Sequence, residues 1–380
     1  MSDSAKPCNE GNTGISSLAE LEDKKVLIAT VGCINYDHDL NHTDPIMRLF
    51  PRSIRYNYYE RMSDLGREKM NQELLQIAKT ERPDYLFYVT FLNHLKLETL
   101  ERMRDLGIVT IAWFSDDDWR YECFSRKLAR CIDFQITTYP QAYDKYVADG
   151  FSPMLSQWAA SPKSYKPRTE LEYKHEVSFV GGRHGGRKEF IDGLVAAGID
   201  VRTFGSGWNR FLSFDEMLDV FSQSKINLNF SSSSVDRSLK QIKGRVFEVP
   251  MCGGFLLTED SPRLGEFFEE GREVATFKDL EDAIDKIRYY LKNEDEREAM
   301  AAAAHTRALK EHTWEKRLKE IFLEIQKVES SNSNFKRPNS IERFINRILK
   351  RHWLWELKPR DRFRNLLRSI KAEIKTRISD

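Results

Sequence analysis

The chain has no long hydrophobic run, and this absence limits where it can work. None of its apolar stretches approaches the ~18 residues that a membrane-spanning helix needs. Residues 1–22 are polar and lack the apolar core of a signal peptide, so we expect a flexible N-terminus on a cytoplasmic protein. Cysteine is also scarce, with five residues and no C-x-x-C pair. A disulfide framework and a cysteine-held metal are therefore not expected.

Net charge is low as well, at +1 over 380 residues, which argues against a general affinity for nucleic acid. The charge is unevenly distributed along the chain, because residues 335–380 carry 14 Lys and Arg against 5 Asp and Glu. Apolar side chains recur near helical spacing over 341–380, which predicts a basic amphipathic helical tail suited to an anionic membrane surface. A nucleic-acid arm, a partner-binding helix and a helix packed on the body are the alternatives.

Short apolar runs alternate with amphipathic stretches through the body of the chain, as in the strand-like "KVLIAT" and the helix-like "LKLETLERMRDLG". This alternation predicts an α/β protein with parallel sheets covered by helices on both faces. The length favours two domains. The predicted division is a flexible start (1–22), a Rossmann-like domain (23–160), a second Rossmann-like domain (175–327) and the tail (341–380).

The segment "GGRHGGRK" (181–188) lies between a predicted strand and a predicted helix. Its glycines, Gly182 among them, let a ligand approach the backbone closely, and the helix N-terminus favours an anion. Arg187 and Lys188 add positive charge at that point. We expect an anion site here, and the alternative is a tight turn with solvated basic residues.

The segment "IKGRVFEVPMCGGFLLTED" (242–260) predicts a short helix that begins near Arg245 and ends at Gly253. Arg245 and Glu248 are three residues apart and would share one face of that helix. Lys243 and Arg245 are suited to hold a diphosphate, and Glu248 to accept two hydroxyls of a ribose. The alternative is an ordinary Arg–Glu pair on a helix surface.

This segment, with "EFFEEGREVATF" and "HTWEKRLKEI" after it, resembles the C-terminal half of GT-B glycosyltransferases over about 175–327. The likeness is greatest to the spore-maturation-protein-like group with a "glycosyl transferases group 1" C-terminal domain. The resemblance implies GT-B architecture, in which two Rossmann-like domains face a cleft and the second binds the nucleotide sugar.

The resemblance also implies roles for individual residues. Glu248 matches the acid that binds the ribose hydroxyls, and Gly253 matches the small residue that ends the helix. Arg245, Arg187 and Lys188 would neutralise the diphosphate leaving group without a metal, so no cofactor is expected beyond the donor substrate.

One feature departs from the pattern of many retaining members, which carry an E-x7-E motif. The position eight residues before Glu248 is Lys240, so the stereochemistry of transfer does not carry over. Three acids after the next predicted strand (Glu259, Asp260 and Glu266) are candidates to contact the transferred sugar, and solvated loop carboxylates are the alternative.

Two further loops are candidates within this fold. Trp208, in "FGSGWNR", would border the nucleobase and stack on it, or would serve in packing. The serine run 231–234 would donate hydroxyls to phosphate or sugar, or form a plain loop.

In the first half, "AWFSDDDWR" places Asp116, Asp117 and Asp118 after a predicted buried strand. Such a cluster suits either a proton acceptor whose pKa is raised by its neighbours or a divalent cation. The D-x-D pattern is the metal motif of GT-A glycosyltransferases, the main competing fold. A surface turn is the third alternative.

The loop "TVGCINYDHDLNHTDP" (30–45) follows the first predicted strand and is rich in His and Asp. GT-B enzymes commonly place acceptor-binding groups, and sometimes the base, in this loop. His38 is therefore a candidate catalytic residue, with Asp37 and His42 beside it, and His94 follows the second strand in the same way.

Together these features predict a glycosyltransferase that moves a sugar from a nucleotide diphosphate donor to a hydroxyl acceptor. The acceptor is expected to be a glycan or lipid-linked molecule of cell-envelope polysaccharide or glycolipid synthesis, with the protein on the inner face of the plasma membrane. A nucleotide-sugar epimerase of the same fold and a non-catalytic, membrane-recruited binding protein are the alternatives.

Overall fold

The structure is a computed structural model, and it describes residues 21–33, 36–37, 39–91, 94–233 and 235–331. The predicted basic tail and most of the predicted flexible start lie outside these residues, and so does His38. The chain divides into two compact units, Met1–Leu323 and Glu324–Asp380. Within the described ranges, no helix is both long enough and apolar enough to cross a membrane.

The strands form two separate parallel sheets. The first sheet has the order β4-β1-β5-β6-β7-β8 and the second has the order β10-β9-β11-β12-β13, while β2 and β3 make a small antiparallel pair. Their bounds are β1 Val26–Thr30, β2 Gly32–Cys33, β3 Tyr36–Asp37, β4 Ile54–Asn57, β5 Tyr85–Val89, β6 Val109–Phe114, β7 Phe134–Thr137, β8 Met154–Leu155, β9 His175–Val180, β10 Val201–Phe204, β11 Ser224–Asn229, β12 Leu256–Glu259 and β13 Ala275–Phe277.

Helices connect successive strands and cover both faces of each sheet. The α-helices are α1 Asp44–Leu49, α2 Tyr58–Glu81, α3 Leu97–Asp105, α4 Asp117–Arg120, α5 Arg126–Ala129, α6 Pro140–Ala148, α7 Arg187–Ala196, α8 Phe214–Gln223, α9 Arg245–Met251, α10 Leu280–Lys292, α11 Glu294–Glu311 and α12 Trp314–Ser331. Short π-helical segments lie at Asp39–Thr43 and Tyr121–Ser125, and a 3-10 turn at Leu264–Glu266.

The central strands are buried along their whole length, which is why their sequences are almost continuously apolar. All five residues of β1 are buried, and Leu27 lies between Ile54 of β4 and Leu86 of β5 in register. One face of the second sheet packs on α7 and α10 through Ile191 and Ile287. The other face packs on α8, α9 and α11. Strands covered on both sides in this way are typical of parallel α/β sheets.

The predicted alternation of strands and helices is confirmed, although some short elements and one helix break were not predicted. The edge strands β4 and β8 were not predicted, because they are short and only partly buried. The helical stretch after α10 is divided by a break between α11 and α12, which its alanine-rich sequence does not indicate. The backbone of Ala160 causes it: its N–H donates to His312 O (3.1 Å) and its C=O accepts from Trp314 N (3.3 Å).

Candidate active site

The loop after β9 holds Arg187 in a fixed position. Gly186 takes the left-handed conformation (φ 83°) immediately before α7, which favours glycine there. From the first turn of α7, the Arg187 guanidinium turns back and donates to Gly182 O (3.0 Å) and to His184 Nε2 (3.0 Å). It also lies over the ring of Phe179, 5.4 Å from the centroid. The side chain is therefore oriented before any ligand binds.

Burial gives this arginine and its histidine partner unusual proton affinities. Burial lowers the pKa of Arg187 to about 10, so the guanidinium stays charged at neutral pH. Burial, with the charges of Arg187 and Lys243, lowers the pKa of His184 to about 4. His184 is therefore neutral, accepts at Nε2 and carries its proton on Nδ1.

The start of α9 brings two more cations to the same place. Arg245 donates from Nε to Val180 O (3.3 Å), and its guanidinium lies 5.4 Å from the centre of the Phe221 ring. Lys243 precedes the helix, and burial lowers the pKa of its ammonium group, an effect that the nearby charges of Asp118 and Asp116 oppose. As predicted, the helix begins at Arg245, and Gly253 follows its end with φ 73°.

The first sheet contributes acids to this region from the segment after β6. Asp116 and Asp118 are both half-buried. Burial, together with the charge of Asp118, raises the pKa of Asp116. Both carboxylate oxygens of Asp118 are shielded from water and receive no hydrogen bond from the described residues.

These groups line one cavity of about 260 Å³. Arg187, Lys243 and Arg245 lie on the wall built by the second sheet, and Asp116 and Asp118 on the wall built by the first. The remaining lining residues are Trp119, Phe179, Val180, Gly181, His184, Asn229, Gln241 and Gly244. A basic wall thus faces an acidic wall, an arrangement suited to binding a diphosphate beside a proton acceptor.

Asp117 is separated from this cavity, although it was predicted as a catalytic candidate. Its side chain is buried and accepts a hydrogen bond from Tyr146 Oη at 3.2 Å. Burial raises the pKa of Asp117 to about 6, while hydrogen-bonding hydroxyls oppose the shift. The side chain of Asp117 points into the core of the first sheet, so we assign it a structural role.

Glu248 is also placed differently from the expectation. It is 1% exposed and does not line the cavity. Its carboxylate accepts hydrogen bonds from Arg245 and, at 3.3 Å, from Tyr165 Oη. The sequence predicted that Arg245 and Glu248 grip opposite ends of a donor, whereas here the two side chains bind each other. The ribose contact of Glu248 stays a prediction.

Three other predicted ligand-binding residues lie outside the cavity lining. Lys188 points to solvent and pairs with Asp192. Trp208 packs against Phe179, with ring centroids 6.3 Å apart, and the guanidinium of Arg183 lies 5.8 Å from the tryptophan ring. The third, Gly182, acts through its carbonyl group on Arg187.

Two further candidates of the first half, His42 and His94, are buried. His42 lies among aromatic rings, 4.3 Å from that of Trp314 and 5.2 Å from that of Trp113. His94 lies beside Tyr58 and Tyr59, and burial lowers its pKa. Neither histidine lines the cavity. In the part of the chain that the structure describes, no group of His, Cys, Asp or Glu side chains is arranged to hold a metal ion.

Glu259 at the end of β12 and Glu266 beyond it hold loop residues in place. Glu259 accepts hydrogen bonds from the backbone N–H groups of Ser231 (3.0 Å) and Ser232 (2.9 Å) and from the Ser232 hydroxyl. Glu266 pairs with Arg263. Contacts of Glu259, Asp260 or Glu266 with a transferred sugar stay predictions.

Several cavity residues were not singled out from the sequence. His184 was inside the quoted glycine-rich loop, but a histidine between glycines gives no sign of its contact with Arg187. Asn229 ends β11 and Gln241 precedes Lys243, so the rule that ligands lie beyond the carboxyl ends of parallel strands would have indicated Asn229. Trp119 followed the predicted acids directly and lines the cavity with 46% of its surface exposed.

Comparison with known proteins gives one family match and many similar folds. Residues 183–322 match the family model described as "Glycosyl transferase-like". No curated protein sequence matches the chain.

Three solved structures illustrate the shared fold. A glycosyltransferase from Rickettsia africae is 8% identical with a TM-score of 0.57, and the alignment covers 82% of this chain and 100% of that one. HepE of Anabaena in complex with UDP-glucose is 11% identical with a TM-score of 0.56 and the same coverage. Sucrose-phosphate synthase of Thermosynechococcus elongatus is 11% identical with a TM-score of 0.58, covering 81% and 100%. The chain therefore has the GT-B fold, which confirms the predicted fold, and residues 183–322 form a glycosyl transferase-like domain.

Proposed function

We propose that this protein transfers a sugar from a nucleoside diphosphate donor to a hydroxyl acceptor, and that the cavity between the two sheets holds the diphosphate and the reacting sugar. The observation that carries the proposal is the basic wall of Arg187, Lys243 and Arg245. Its cations are partly buried, so they interact more strongly with a phosphate than exposed cations would.

The departing nucleoside diphosphate gains negative charge as the glycosidic bond breaks. Fixed positive groups at that position stabilise the transition state without reorganising during the reaction. Arg187 and Arg245 are held by backbone carbonyl groups, so they are already oriented toward the cavity. Neutral His184 offers its Nδ1–H as an additional donor.

Cavity size indicates which part of the donor lies inside. Small-molecule sites commonly occupy about 300–1,000 Å³, and this cavity is smaller, at about 260 Å³. We assign it to the diphosphate and sugar, with the nucleoside extending beyond it. HepE is described in complex with UDP-glucose, which makes UDP-glucose the first donor to test.

The predicted ribose contact of Glu248 requires its pair with Arg245 to open when the donor binds. Glu248→Gln tests this directly, with inorganic pyrophosphate as the reference ligand because pyrophosphate has no ribose. A ribose contact predicts weaker binding of the nucleoside diphosphate and unchanged binding of pyrophosphate. Equal changes for both ligands would assign Glu248 to positioning Arg245 alone.

The finer predictions concern the group and the cellular role. Membership of the spore-maturation-protein-like group, a glycan or lipid-linked acceptor of the cell envelope, and a location on the inner face of the plasma membrane form part of the proposal. Their support is the sequence resemblance and the basic composition of 341–380. Liposome flotation of the full chain against a chain ending at Ser330 tests the membrane contact, and equal flotation would remove it.

The main test is calorimetric titration with UDP, GDP, CDP, dTDP and ADP, followed by turnover of the matching sugar donor. Lys243→Met removes a cavity charge and keeps the side-chain length. We expect about 10- to 100-fold weaker nucleotide binding, because a hydrogen bond to a charged group contributes about 1.5–3 kcal/mol.

Lys188→Met is the matched control, because Lys188 is exposed and pairs with Asp192 outside the cavity. It should bind nucleotide as the unmodified protein does. Equal binding by both variants, or no binding of any of the five nucleotides, would contradict the proposal. Conversion of the donor into an isomer without any acceptor would identify an epimerase instead.

A further inference from the structure

We propose that the carboxylate of Asp118 is the base that takes the proton from the acceptor hydroxyl, and that the sugar is transferred with inversion at its anomeric carbon. This inference rests on the proposed function and specifies its chemistry. The sequence left three neighbouring aspartates and a histidine as candidates, and it left the stereochemistry open.

Asp118 combines three properties that a base requires. Its side chain lines the cavity. Both of its carboxylate oxygens are shielded from water, and neither receives a hydrogen bond from the described residues. Buried carboxylates with a structural role are normally paired, so a carboxylate without donors at a cavity wall retains its full capacity to accept a proton from a ligand.

The neighbouring aspartates have different surroundings. Asp117 accepts a hydrogen bond from Tyr146 and is directed away from the cavity. Asp116 lines the cavity, and burial together with the charge of Asp118 raises its pKa. Asp116 therefore holds a proton more readily than an ordinary aspartate, which makes it a poorer proton acceptor.

The opposite wall explains why a base on this side leads to inversion. Lys243 lies within electrostatic reach of Asp118 and Asp116, and it lines the cavity with Arg187 and Arg245. The base and the leaving-group cations thus lie on opposite walls. A sugar between the walls has its anomeric carbon open to attack from the Asp118 side while the diphosphate departs toward the cations.

The transfer balances as a single displacement. The acceptor O–H bond breaks, and its proton passes to an Asp118 oxygen. The acceptor oxygen forms a bond to the anomeric carbon as the bond from that carbon to the β-phosphate oxygen breaks. The electron pair of that bond leaves with the nucleoside diphosphate, whose charge the basic wall stabilises. Attack from the face opposite the leaving group inverts the configuration.

The test uses a donor that the unmodified protein consumes, taken here as UDP-glucose, with methanol at molar concentration as the acceptor. UDP-glucose is α-linked, so we expect methyl β-glucoside, which does not change its configuration in water and can be identified by NMR. Methyl α-glucoside as the product would overturn the inference.

Asp118→Ala should lower transfer to methanol by about 10²- to 10⁴-fold, the usual contribution of a general base. Azide is a nucleophile that needs no deprotonation, so it should restore turnover in this variant and give β-glucosyl azide. A merely structural role would not be rescued in this way. Undiminished transfer by Asp118→Ala, or no rescue by azide while calorimetry shows that the variant still binds UDP, would overturn the assignment.

Two variants serve as controls. Asp144→Asn changes an exposed aspartate on α6 and should leave transfer unaffected. Asp116→Asn should lower transfer less than Asp118→Ala, and the reverse order would assign the base to Asp116. If the unmodified protein consumes none of the donors of the five nucleotides, the proposed function itself fails, so the two failures can be told apart.

Discussion

The two walls of the cavity are built in different ways. On the wall of the second sheet, Arg187 and Arg245 are each held by a backbone carbonyl group and a second side chain. On the wall of the first sheet, both carboxylate oxygens of Asp118 lack a hydrogen bond from the described residues. The difference indicates that the cations are oriented for binding in advance, while the acid is kept available for a reacting group.

Loss of the Arg245–Glu248 pair, on the wall of the second sheet, should have the largest effect on the free energy of unfolding. Arg245→Met leaves the Glu248 carboxylate buried, still accepting from Tyr165 Oη but without the guanidinium charge that balances it. An unpaired buried charge costs about 3–5 kcal/mol, so we expect a loss of that size in the free energy of unfolding by urea. The double variant Arg245→Met with Glu248→Gln should recover most of the loss, because the buried charge is then removed. A single variant as stable as the double would contradict the pairing.

Behind the acidic wall, in the core of the first sheet, the side chain of Asp117 should make the stability of the protein depend on pH. Burial raises its folded-state pKa from the ordinary value of 3.8 to about 6, so its contribution to stability is present at low pH and is lost as pH rises through about 6. Asp117→Asn keeps the hydrogen bond from Tyr146 and removes the charge. Relative to the unmodified protein, the variant should therefore gain about 1–3 kcal/mol as pH rises from 4 to 7.

Urea denaturation of both proteins across this pH range measures the gain. A stability difference that does not vary with pH would show that Asp117 titrates as an ordinary exposed carboxyl. Transfer activity at neutral pH separates Asp117 from Asp118, because only the latter lines the cavity.

The smallest expected effect concerns the end of α9. Gly253 has φ 73°, and a Cβ atom there would lie 3.4 Å from Pro167, an ordinary contact. The cost of Gly253→Ala is then mainly backbone strain, about 1–2 kcal/mol. Gly265→Ala is the matched control, because that glycine has no positive φ and no atom near its added Cβ. Equal thermal stability of the two variants would contradict the proposed strain.

The fold could be predicted in large part because the buried strands and the amphipathic helices have distinct periodicities. The continuously apolar β1, β5 and β6 were found for this reason. The break after α11 was not, since an alanine-rich sequence is compatible with one long helix. It depends on backbone hydrogen bonds with Ala160, about 150 residues earlier in the chain, which no local pattern contains.

The site was predicted at the level of loops and less well at the level of side chains. Sequence spacing placed Arg245 and Glu248 on one helix face, but it does not show whether the two side chains bind a ligand or each other. Similarly, three consecutive aspartates look alike in the sequence. The geometry of α4 directs Asp117 into the core and leaves Asp118 at the cavity, and only the folded chain shows this.

In the proposed mechanism, the cations on the wall of the second sheet bind the donor while Asp118 acts on the acceptor. Calorimetric titration of UDP into Lys243→Met and Asp118→Asn separates these two roles. We expect about 10- to 100-fold weaker binding for Lys243→Met and undiminished binding for Asp118→Asn, which removes a negative charge near the phosphates. Undiminished binding by Lys243→Met, or an equal loss in both variants, would show that the two roles are not divided in this way.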